Sequence, residues 1–247
     1  MKWWCWILTS WLAASSFAGA AESLPFRVGE KLGYRIFWGP ILVGEASLEV
    51  RGIEPVDGHD CYHLIANAQT VGLGRLMYKL DSATESWLDV AGLFSRRFQQ
   101  DRREGRSHKQ SVTEFDYTRN EAVTRNLITG KQQRQAIDKP VQDIVSSLYY
   151  MRTQPLALDR ASTFTLNASD KNWTVTCRPD RRQSIEVRPI GEVQALRIEP
   201  APTLKFVASN KGRMWLWVSD DKRNPYALIC AKHNGKCFAR ISLIGHR

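Results

Sequence analysis

The sequence lacks the short motifs that mark several classes of enzyme. Neither G-x-S-x-G, H-E-x-x-H nor C-x-x-C occurs in its 247 residues, and these motifs are typical of serine hydrolases, zinc peptidases and thiol oxidoreductases. Beyond the first 20 residues, no apolar run is long enough to cross a membrane as a helix. The sequence therefore predicts no catalytic residue, no metal site and no cofactor.

The N-terminal segment, residues 1–20, has the pattern of a signal peptide. It carries one charge, Lys2, then an apolar run, and ends in the small residues Ala18-Gly19-Ala20. The alternative is an uncleaved membrane anchor. Cys5 precedes the apolar run, which argues against a lipoprotein signal. We expect cleavage near Ala20, export to the periplasm, and a single soluble β-rich domain over residues 21–247.

Cysteine is scarce, and four cysteines remain after this segment: Cys61, Cys177, Cys230 and Cys237. An even number in an exported chain favours disulfides. Asn234-Gly235 is a preferred type I′ hairpin pair, so residues 229–238 are predicted to form a hairpin. We predict a local Cys230–Cys237 bond and a long-range Cys61–Cys177 bond. With a two-residue loop the first pair lies diagonally, and a four-residue loop would bring it into direct opposition.

A zinc site is the alternative interpretation of these cysteines. Cys61 and His63 lie two residues apart on a predicted strand and share a face, and His233 lies between Cys230 and Cys237. Zinc sites usually need ligand pairs at C-x₂₋₄-C spacing, which neither cluster has. The spacing therefore favours disulfides over a metal.

Short apolar–polar alternations dominate residues 31–128 and 162–244, separated by turn residues, and they predict many antiparallel strands. One segment differs. In residues 138–152 apolar side chains recur at helical spacing, Asp138 can cap the start, and Pro140 fits the first turn. The predicted fold class is mainly β, a curved antiparallel sheet or half-open β-barrel with this one amphipathic helix packed on it.

A sheet under an amphipathic helix would suit an apolar ligand such as an acyl chain. Aromatic and apolar side chains of the strands and the helix are the candidates for lining that site. Simple core packing is the alternative, because aromatic residues in strands are usually part of the core. The predicted ligand-binding residues are Trp38, Trp87, Leu148, Tyr149, Trp215 and Trp217.

The chain is basic, with a formal net charge of +10. Residues 96–134 are its most basic region and contain ten Lys or Arg against five acids. In an exported protein such a region favours contact with an anionic membrane surface, and nucleic acid is not an expected partner. A solvated strand face is the alternative. The predicted contact residues are Arg96, Arg97, Arg102, Arg103 and Arg106.

Three stretches, residues 26–50, 141–152 and 213–244, together resemble the bacterial domain-of-unknown-function family 3108. The resemblance implies an exported β-rich protein of this length and brings no activity or catalytic residue with it. The hairpin from Trp215 through Asn224-Pro225 is also similar to one in Lol-type lipoprotein carriers. That similarity implies a half-open barrel, lidded by helices, that holds acyl chains, which is a likeness of architecture alone.

The sequence thus favours a non-enzymatic envelope protein that binds a hydrophobic or amphiphilic ligand, such as lipid or the acyl chains of a lipoprotein. Two alternatives remain open. One is a protein-interaction or scaffold module with a fully packed core. The other is a hydrolase acting on envelope glycan or lipid, which would need acids or histidines clustered around a pocket.

Overall fold

The structure, a computed structural model, describes residues 24–187, 191–201, 213–219, 228–233 and 236–246. Within these ranges, residues 213–214, 228–233, 236–242 and 245–246 are described by their backbone alone. The predicted signal segment and its cleavage site lie outside the described residues and stay predictions.

Strands dominate the described chain, as the alternating pattern predicts. The strands are β1 (Lys31–Trp38), β2 (Ile41–Val56), β3 (His59–Thr70), β4 (Leu80–Asp89), β5 (Ser95–Glu104), β6 (Ser107–Asp116), β7 (Glu121–Asn126), β8 (Gln132–Ala136), β9 (Ser162–Ala168), β10 (Lys171–Val187), β11 (Gly191–Ala201), β12 (Arg213–Ser219), β13 (Leu228–His233) and β14 (Lys236–His246). The helices are α1 (Gly72–Met77) and α2 (Ser146–Thr153). Among the described residues, neither helix is long and apolar enough to cross a membrane.

The described strands form one antiparallel sheet of fourteen strands. Its order is β8-β7-β6-β5-β4-β3-β2-β1-β14-β13-β12-β11-β10-β9, so two meanders join where β1 pairs with β14. The sheet is open, with β8 and β9 at its edges. Residues of β2–β4 and of β12 line the same cavity, which shows that the sheet curls around α2. The predicted fold class, a mainly β antiparallel fold with a helix packed on the sheet, is confirmed.

Two details of the strand prediction change. The sequence pattern predicts separate strands over residues 173–178 and 184–189, but the first and the described part of the second, to Val187, belong to the single strand β10. A register shift between Pro179 and Arg181 interrupts its pairing with β11, because proline has no N–H to donate to the ladder. The pattern also overlooks α1, whose six residues are too few for a helical period to stand out.

Helix α2 is shorter than predicted and begins at Ser146 rather than near Asp138. The preceding backbone is held by other partners: Gln142 N–H donates to Thr165 O at 2.8 Å, and Asn167 N–H donates to Gln142 O at 2.7 Å. These bonds attach the segment to edge strand β9 and keep it out of the helix. The side chains of the predicted apolar face are nevertheless buried or line the cavity. Those before Ser146 precede the helix and those after it lie on α2, and both groups point toward the interior.

The predicted Cys61–Cys177 disulfide is not formed. Both cysteines are free and buried. Cys61 packs with Val56 and Trp87, whereas Cys177 packs in a separate cluster with Leu166 and Ile198. Burial raises the pKa of the Cys61 thiol to about 11 and that of Cys177 to about 12. Each therefore behaves as a small apolar core residue with an unreactive thiol.

The predicted Cys230–Cys237 bond depends on side chains outside those that the structure describes, so it stays a prediction. The backbone register pairs Lys232 with Cys237 and His233 with Lys236, as a two-residue Asn-Gly loop requires. A register shift between Ala231 and Lys232 then places Cys230 opposite Arg240. The two cysteines are thus not directly opposed in the ladder.

Candidate functional site

An apolar cavity lies between α2 and the inner face of the sheet, which is the face that contacts this helix. Its volume is about 250 Å³. Strands β1–β4 form one wall, α2 and the residues just before it form the second, and Leu216 and Val218 of β12 form the third. The cavity therefore joins the two meanders of the sheet around one helix.

Small side chains on three neighbouring strands leave this space. The strand register aligns Ala46, Ala68 and Ser82 in one row across β2, β3 and β4. The next row toward the core contains Leu48, Ala66 and Thr84, and both rows line the cavity. Larger residues at these positions would fill the volume, since protein interiors otherwise pack without voids of this size.

Below these rows the core is filled. Val50 of β2 and Leu64 of β3 are fully buried and pack against Phe26, Val145 and Tyr149. The edge of the Phe26 ring meets Tyr149, with ring centroids 5.2 Å apart. The cavity thus rests on a closed apolar floor that also holds the start of α2.

One end of the cavity is polar and buried. Arg152 of α2 and Glu30 form a buried ion pair, with Nη1 to Oε1 at 2.6 Å and Nη2 to Oε2 at 2.9 Å. Arg152 Nη2 also donates to Pro25 O at 2.5 Å. These bonds tie α2 to the chain before β1, and they satisfy charges that would be costly to bury unpaired.

Two tyrosine hydroxyls beside this ion pair have no hydrogen-bond partner among the described residues. Tyr34 of β1 and Tyr149 of α2 both line the cavity, and their hydroxyl oxygens are buried. Burial raises the pKa of both phenols, so both are protonated donors. The Nε–H of Arg152 is likewise buried and without an acceptor. Unsatisfied buried donors are rare and call for an explanation.

A fully buried carboxyl group anchors the start of α2 to the strands. Asp143 Oδ2 accepts hydrogen bonds from Ser86 Oγ of β4 and Ser95 Oγ of β5, each at 2.5 Å. Its Oδ1 accepts from the backbone N–H groups of Val145 and Ser146 at 2.7 and 2.9 Å. Burial raises the pKa of Asp143, against the effect of these donors. No cavity-lining role is indicated, because the group is enclosed by its partners.

The structure brings together only part of the predicted ligand site. Leu148 and Tyr149 line the cavity, on the α2 wall. Trp215 and Trp217 alternate with Leu216 and Val218 along β12, and it is the latter pair that faces the cavity. Trp38 is exposed at the β1–β2 turn. Among the described residues, the cavity lining contains no tryptophan.

Trp87 belongs to a polar cluster on the outer face of the sheet. His63 stacks on its ring, with centroids 4.6 Å apart. His63 Nδ1 lies 2.9 Å from Glu54 Oε1, and His63 Nε2 lies 2.6 Å from Glu85 Oε2. Trp87 Nε1 donates to Glu54 Oε2 at 3.1 Å, and this bond, followed by that of His63, lowers the pKa of Glu54. The cluster crosslinks β2, β3 and β4 and has no opening toward the cavity.

The five predicted surface arginines do not share one face. Arg96 pairs with Asp89 at 2.5 Å, and Arg97 pairs with Glu114 at 3.3 Å. Arg102 lines a second inner cavity and pairs with Glu104 at 2.6 Å, whereas Arg103 lies on the outer face near Asp101. Arg106 is exposed in the turn between β5 and β6. Alternation along β5 separates these side chains, and nearby acids offset much of their charge.

The second inner cavity, also of about 250 Å³, lies beside the apolar one and shares Ile144 with it. Its walls are polar and include Gln100, Arg102 and Lys109. A larger polar groove of about 540 Å³ lies on the outer face, where Asp81 pairs with Arg75 at 2.8 Å. In the described part of the chain no three His, Cys, Asp or Glu side chains could hold a metal ion.

Sequence reasoning missed Tyr34, Arg152 and the small residues of the inner face. The one available signal was that Leu48, Ala66 and Thr84 occupy equivalent positions on strands that pair in sequence order. Using it requires the strand register, which is set by turns and bulges such as the one between Val50 and Gly52. The ion pair between Glu30 and Arg152 joins residues 122 positions apart and has no local pattern.

A family model for proteins of unknown function, DUF3108, matches residues 33–233. The chain belongs to the DUF3108 family. The DUF3108 match extends from β1 to the end of β13, so it includes α2 and every strand that lines the apolar cavity. This confirms the resemblance that the sequence motifs indicate. Among curated protein sequences, none matches this chain.

Two solved structures are similar to this DUF3108 member. One is a β-barrel-like protein of the domain-of-unknown-function family DUF1849 from Brucella abortus, with a TM-score of 0.56 and 11% identity over 89% of this chain and 97% of that chain. The other is a protein of Bacteroides fragilis with a YmcC-like fold, with a TM-score of 0.36 and 10% identity over 91% of this chain and 98% of that chain. The first supports the fold alone. The likeness to Lol-type carriers stays a prediction.

Proposed function

We propose that this protein is a non-enzymatic, exported binding protein that holds the acyl chain of an amphiphilic molecule between α2 and the inner face of the sheet. The observation that carries the proposal is the apolar cavity of about 250 Å³ at this position. Ligand cavities in proteins usually measure roughly 300–1,000 Å³, and this volume lies just below that range. The cavity is therefore suited to a single acyl chain and is too small for a whole phospholipid. The predicted signal segment supports a soluble form in the periplasm.

The walls of the cavity favour an amphiphile over a purely apolar ligand. Most lining side chains are aliphatic, whereas Tyr34 and Tyr149 offer two buried hydroxyl donors for which the described part of the chain supplies no acceptor. A carboxylate or ester carbonyl at this end would accept from them and remove the cost of leaving donors unsatisfied. The neighbouring polar cavity with Arg102 and Lys109 would receive further polar atoms of the same ligand.

The inner-face rows allow a matched pair of variants. Ala68 faces the cavity on β3, whereas Ala83 lies exposed on the adjacent strand β4, on the opposite face of the sheet. Replacing Ala68 by tryptophan fills the cavity from the sheet side, and Leu148→Trp fills it from the helix side. Ala83→Trp adds the same bulk outside and serves as the control.

Binding is measured by titrating cis-parinaric acid, a fluorescent fatty acid, and displacing it with palmitate. We expect saturable binding of one molecule, with affinity reduced at least tenfold in Ala68→Trp and in Leu148→Trp. Ala83→Trp should bind as the unaltered protein does. The proposal is wrong if the unaltered protein shows no saturable binding, or if all three variants lose affinity equally.

A further inference from the structure

The exposed apolar side chains collect at one end of the sheet. Strands β1, β3, β5 and β7 run toward this end, so it carries the β1–β2 turn, α1, the β5–β6 turn and the β7–β8 turn. We call these four segments, residues 38–41, 71–79, 105–106 and 127–131, the rim. The β9–β10 turn, which contains Asp170, lies at the same end of the sheet but is not part of the rim. Eight of the twelve large apolar side chains exposed in the described chain belong to it. They are Trp38, Ile41, Leu73, Leu76, Met77, Tyr78, Leu127 and Ile128.

Helix α1 is placed so that its apolar residues point away from the sheet. Gly74 lies directly on β2, where a Cβ atom would come within 2.3 Å of Val43 O. The N–H of Val71 also donates to Val43 O, at 2.9 Å. With this side of the helix on the strand, Leu76 is 83% exposed and Met77 is 67% exposed. The close approach at Gly74 therefore presents apolar side chains to the surroundings at an energetic cost that a purely structural helix would avoid.

The rim has charge of only one sign. Its segments contain Arg75, Lys79, Arg106 and Lys131 and no Asp or Glu. Arg75 pairs with Asp81 of β4, just outside the rim. At the opposite end the β2–β3 turn contains Asp57, and the β6–β7 turn contains Arg119 between the strand-end acids Asp116 and Glu121, so charges of both signs occur there. The apolar and cationic residues thus coincide at one end of a molecule with a net charge of +10.

We propose that the rim docks on an anionic lipid bilayer, with its apolar side chains in the interfacial region and its cations against the head groups. The apolar residues project from the tips of separate turns, which suits a soft bilayer rather than a shaped protein partner. Cations near an anionic bilayer are attracted to it, and apolar side chains that enter the interface add to that binding. The second inner cavity reaches Glu104 and Ser107, which flank the β5–β6 tip, so this polar cavity extends toward the rim.

This proposal goes beyond the proposed function and does not require that the cavity be occupied. It also differs from the contact predicted by sequence. Of the five predicted arginines only Arg106 belongs to the rim, and Arg96, Arg97, Arg102 and Arg103 lie within or beside ion pairs.

Co-sedimentation of the full protein with lipid vesicles tests the proposal. Vesicles of phosphatidylcholine alone are compared with vesicles containing one quarter phosphatidylglycerol. We expect binding to the anionic vesicles that weakens with added salt, because surface charges are screened. The variant L76D/M77D should lose at least tenfold in partition coefficient. The variant K79Q/R106Q/K131Q should lose about a hundredfold, since each cation near an anionic membrane contributes about a factor of five.

Matched controls alter similar residues away from the rim. Leu158 is exposed in the connection between α2 and β9, so Leu158→Asp tests the effect of a lost apolar side chain elsewhere. The variant R51Q/K139Q/R160Q removes three exposed cations and the same net charge. Both controls should bind as the unaltered protein does. All variants and the unaltered protein are prepared with the same first residue. The proposal is overturned if the unaltered protein ignores anionic vesicles, or if rim and control variants lose binding alike.

A second readout places Trp38 in the bilayer. Brominated lipid quenches the fluorescence of tryptophans that enter the acyl region, and we expect quenching in the unaltered protein that is lost in Trp38→Phe. Unaltered quenching in that variant would contradict docking through the rim.

Discussion

Tyr34 and Tyr149 are the residues that most directly connect the cavity to a ligand. Each lines the cavity and carries a buried, protonated hydroxyl that has no acceptor among the described residues. Tyr117 provides the contrast, because its hydroxyl donates to Ser95 O at 2.6 Å. The fold supplies an acceptor for the hydroxyl of Tyr117, whereas no described residue supplies one for Tyr34 or Tyr149.

Replacing these tyrosines by phenylalanine should separate folding from binding. Tyr34→Phe and Tyr149→Phe remove an unsatisfied buried group, which costs about 1–3 kcal/mol, so the free energy of unfolding of the free protein should stay level or rise. Their affinity for palmitate should fall about fivefold or more, because a donor to the head group is lost. Urea denaturation and displacement of cis-parinaric acid measure the two effects.

Tyr117→Phe is the control for this pair and should lose about 1 kcal/mol of stability with unchanged affinity, since it breaks an intact hydrogen bond. A loss of stability in Tyr34→Phe equal to that of Tyr117→Phe would show that the Tyr34 hydroxyl is already satisfied. Unchanged palmitate affinity in both cavity variants would contradict their proposed role.

Of the residues predicted to bind a ligand, those of the helix line the cavity and the tryptophans of the strands do not. Leu148 and Tyr149 follow from helical periodicity, which assigns one face without further information. Strand β12 is apolar on both faces, so alternation could not show whether Trp215 and Trp217 or Leu216 and Val218 face the cavity. The prediction selected aromatic residues of the strands. The cavity instead exists because residues such as Ala68 are small, and their alignment depends on the register of three strands.

At the scale of elements, the segment before α2 is the most informative part of the chain. Its apolar residues predict a helix from Asp138, but the helix begins eight residues later, at Ser146. The backbone of the segment is bonded to β9, and the carboxyl group of Asp143 accepts from the first N–H groups of the helix. Periodicity detects which side chains are buried, and it does not detect a hydrogen bond to an edge strand distant in sequence. The same segment also links β4 and β5 to the helix that covers the cavity.

Asp143 should make stability depend on pH. Burial raises its pKa in the folded state, so the fold binds this proton more tightly than the unfolded chain does. The free energy of unfolding should therefore fall as pH rises from the ordinary pKa of an Asp carboxyl toward the raised value. In Asp143→Asn the amide oxygen can keep the bonds from Val145 and Ser146, and the NH₂ group can donate to Ser86 and Ser95, where the protonated acid donates one hydrogen bond. We expect this variant to gain stability relative to the unaltered protein as pH rises.

Urea denaturation at pH values between about 4 and 8 measures the difference between the two proteins. Asp143→Ala, which removes the acceptor altogether, should be destabilised throughout that range by about 2–3 kcal/mol, because buried donors lose their partner. The prediction is wrong if the free energy of unfolding of the unaltered protein rises relative to that of Asp143→Asn as pH increases. In that case the hydrogen-bond donors stabilise the folded carboxylate by more than burial destabilises it.

At the scale of the whole molecule, one continuous sheet curls around one short helix. The two strand runs on either side of α2 join through the pairing of β1 with β14. This join brings Leu216 and Val218 across from the small residues of β2–β4. Strand content and a curved antiparallel sheet could be predicted from alternation and turns, but the pairing of β1 with β14 could not, because it joins residues such as Tyr34 and Leu243 that are far apart in sequence.

The shape also explains why the two proposals concern the same end of the molecule. The rim carries apolar and cationic side chains beyond the end of the inner face where Ala46 and Ala68 lie, while the opposite end is filled by Val50 and Leu64. If the rim rests on a bilayer, an acyl chain that leaves the bilayer there would reach the inner face of the sheet first. Binding in the cavity and docking through the rim remain separately testable, since the variants of one leave the other intact.

Native mass spectrometry of the protein, purified without detergent from cells in which it has met envelope lipids, tests the central claim most directly. We predict a population carrying one bound amphiphile, which dissociates on unfolding, and a loss of that population in Ala68→Trp but not in Ala83→Trp. A single ligand-free mass for the unaltered protein, unchanged after incubation with fatty acid, would contradict the account.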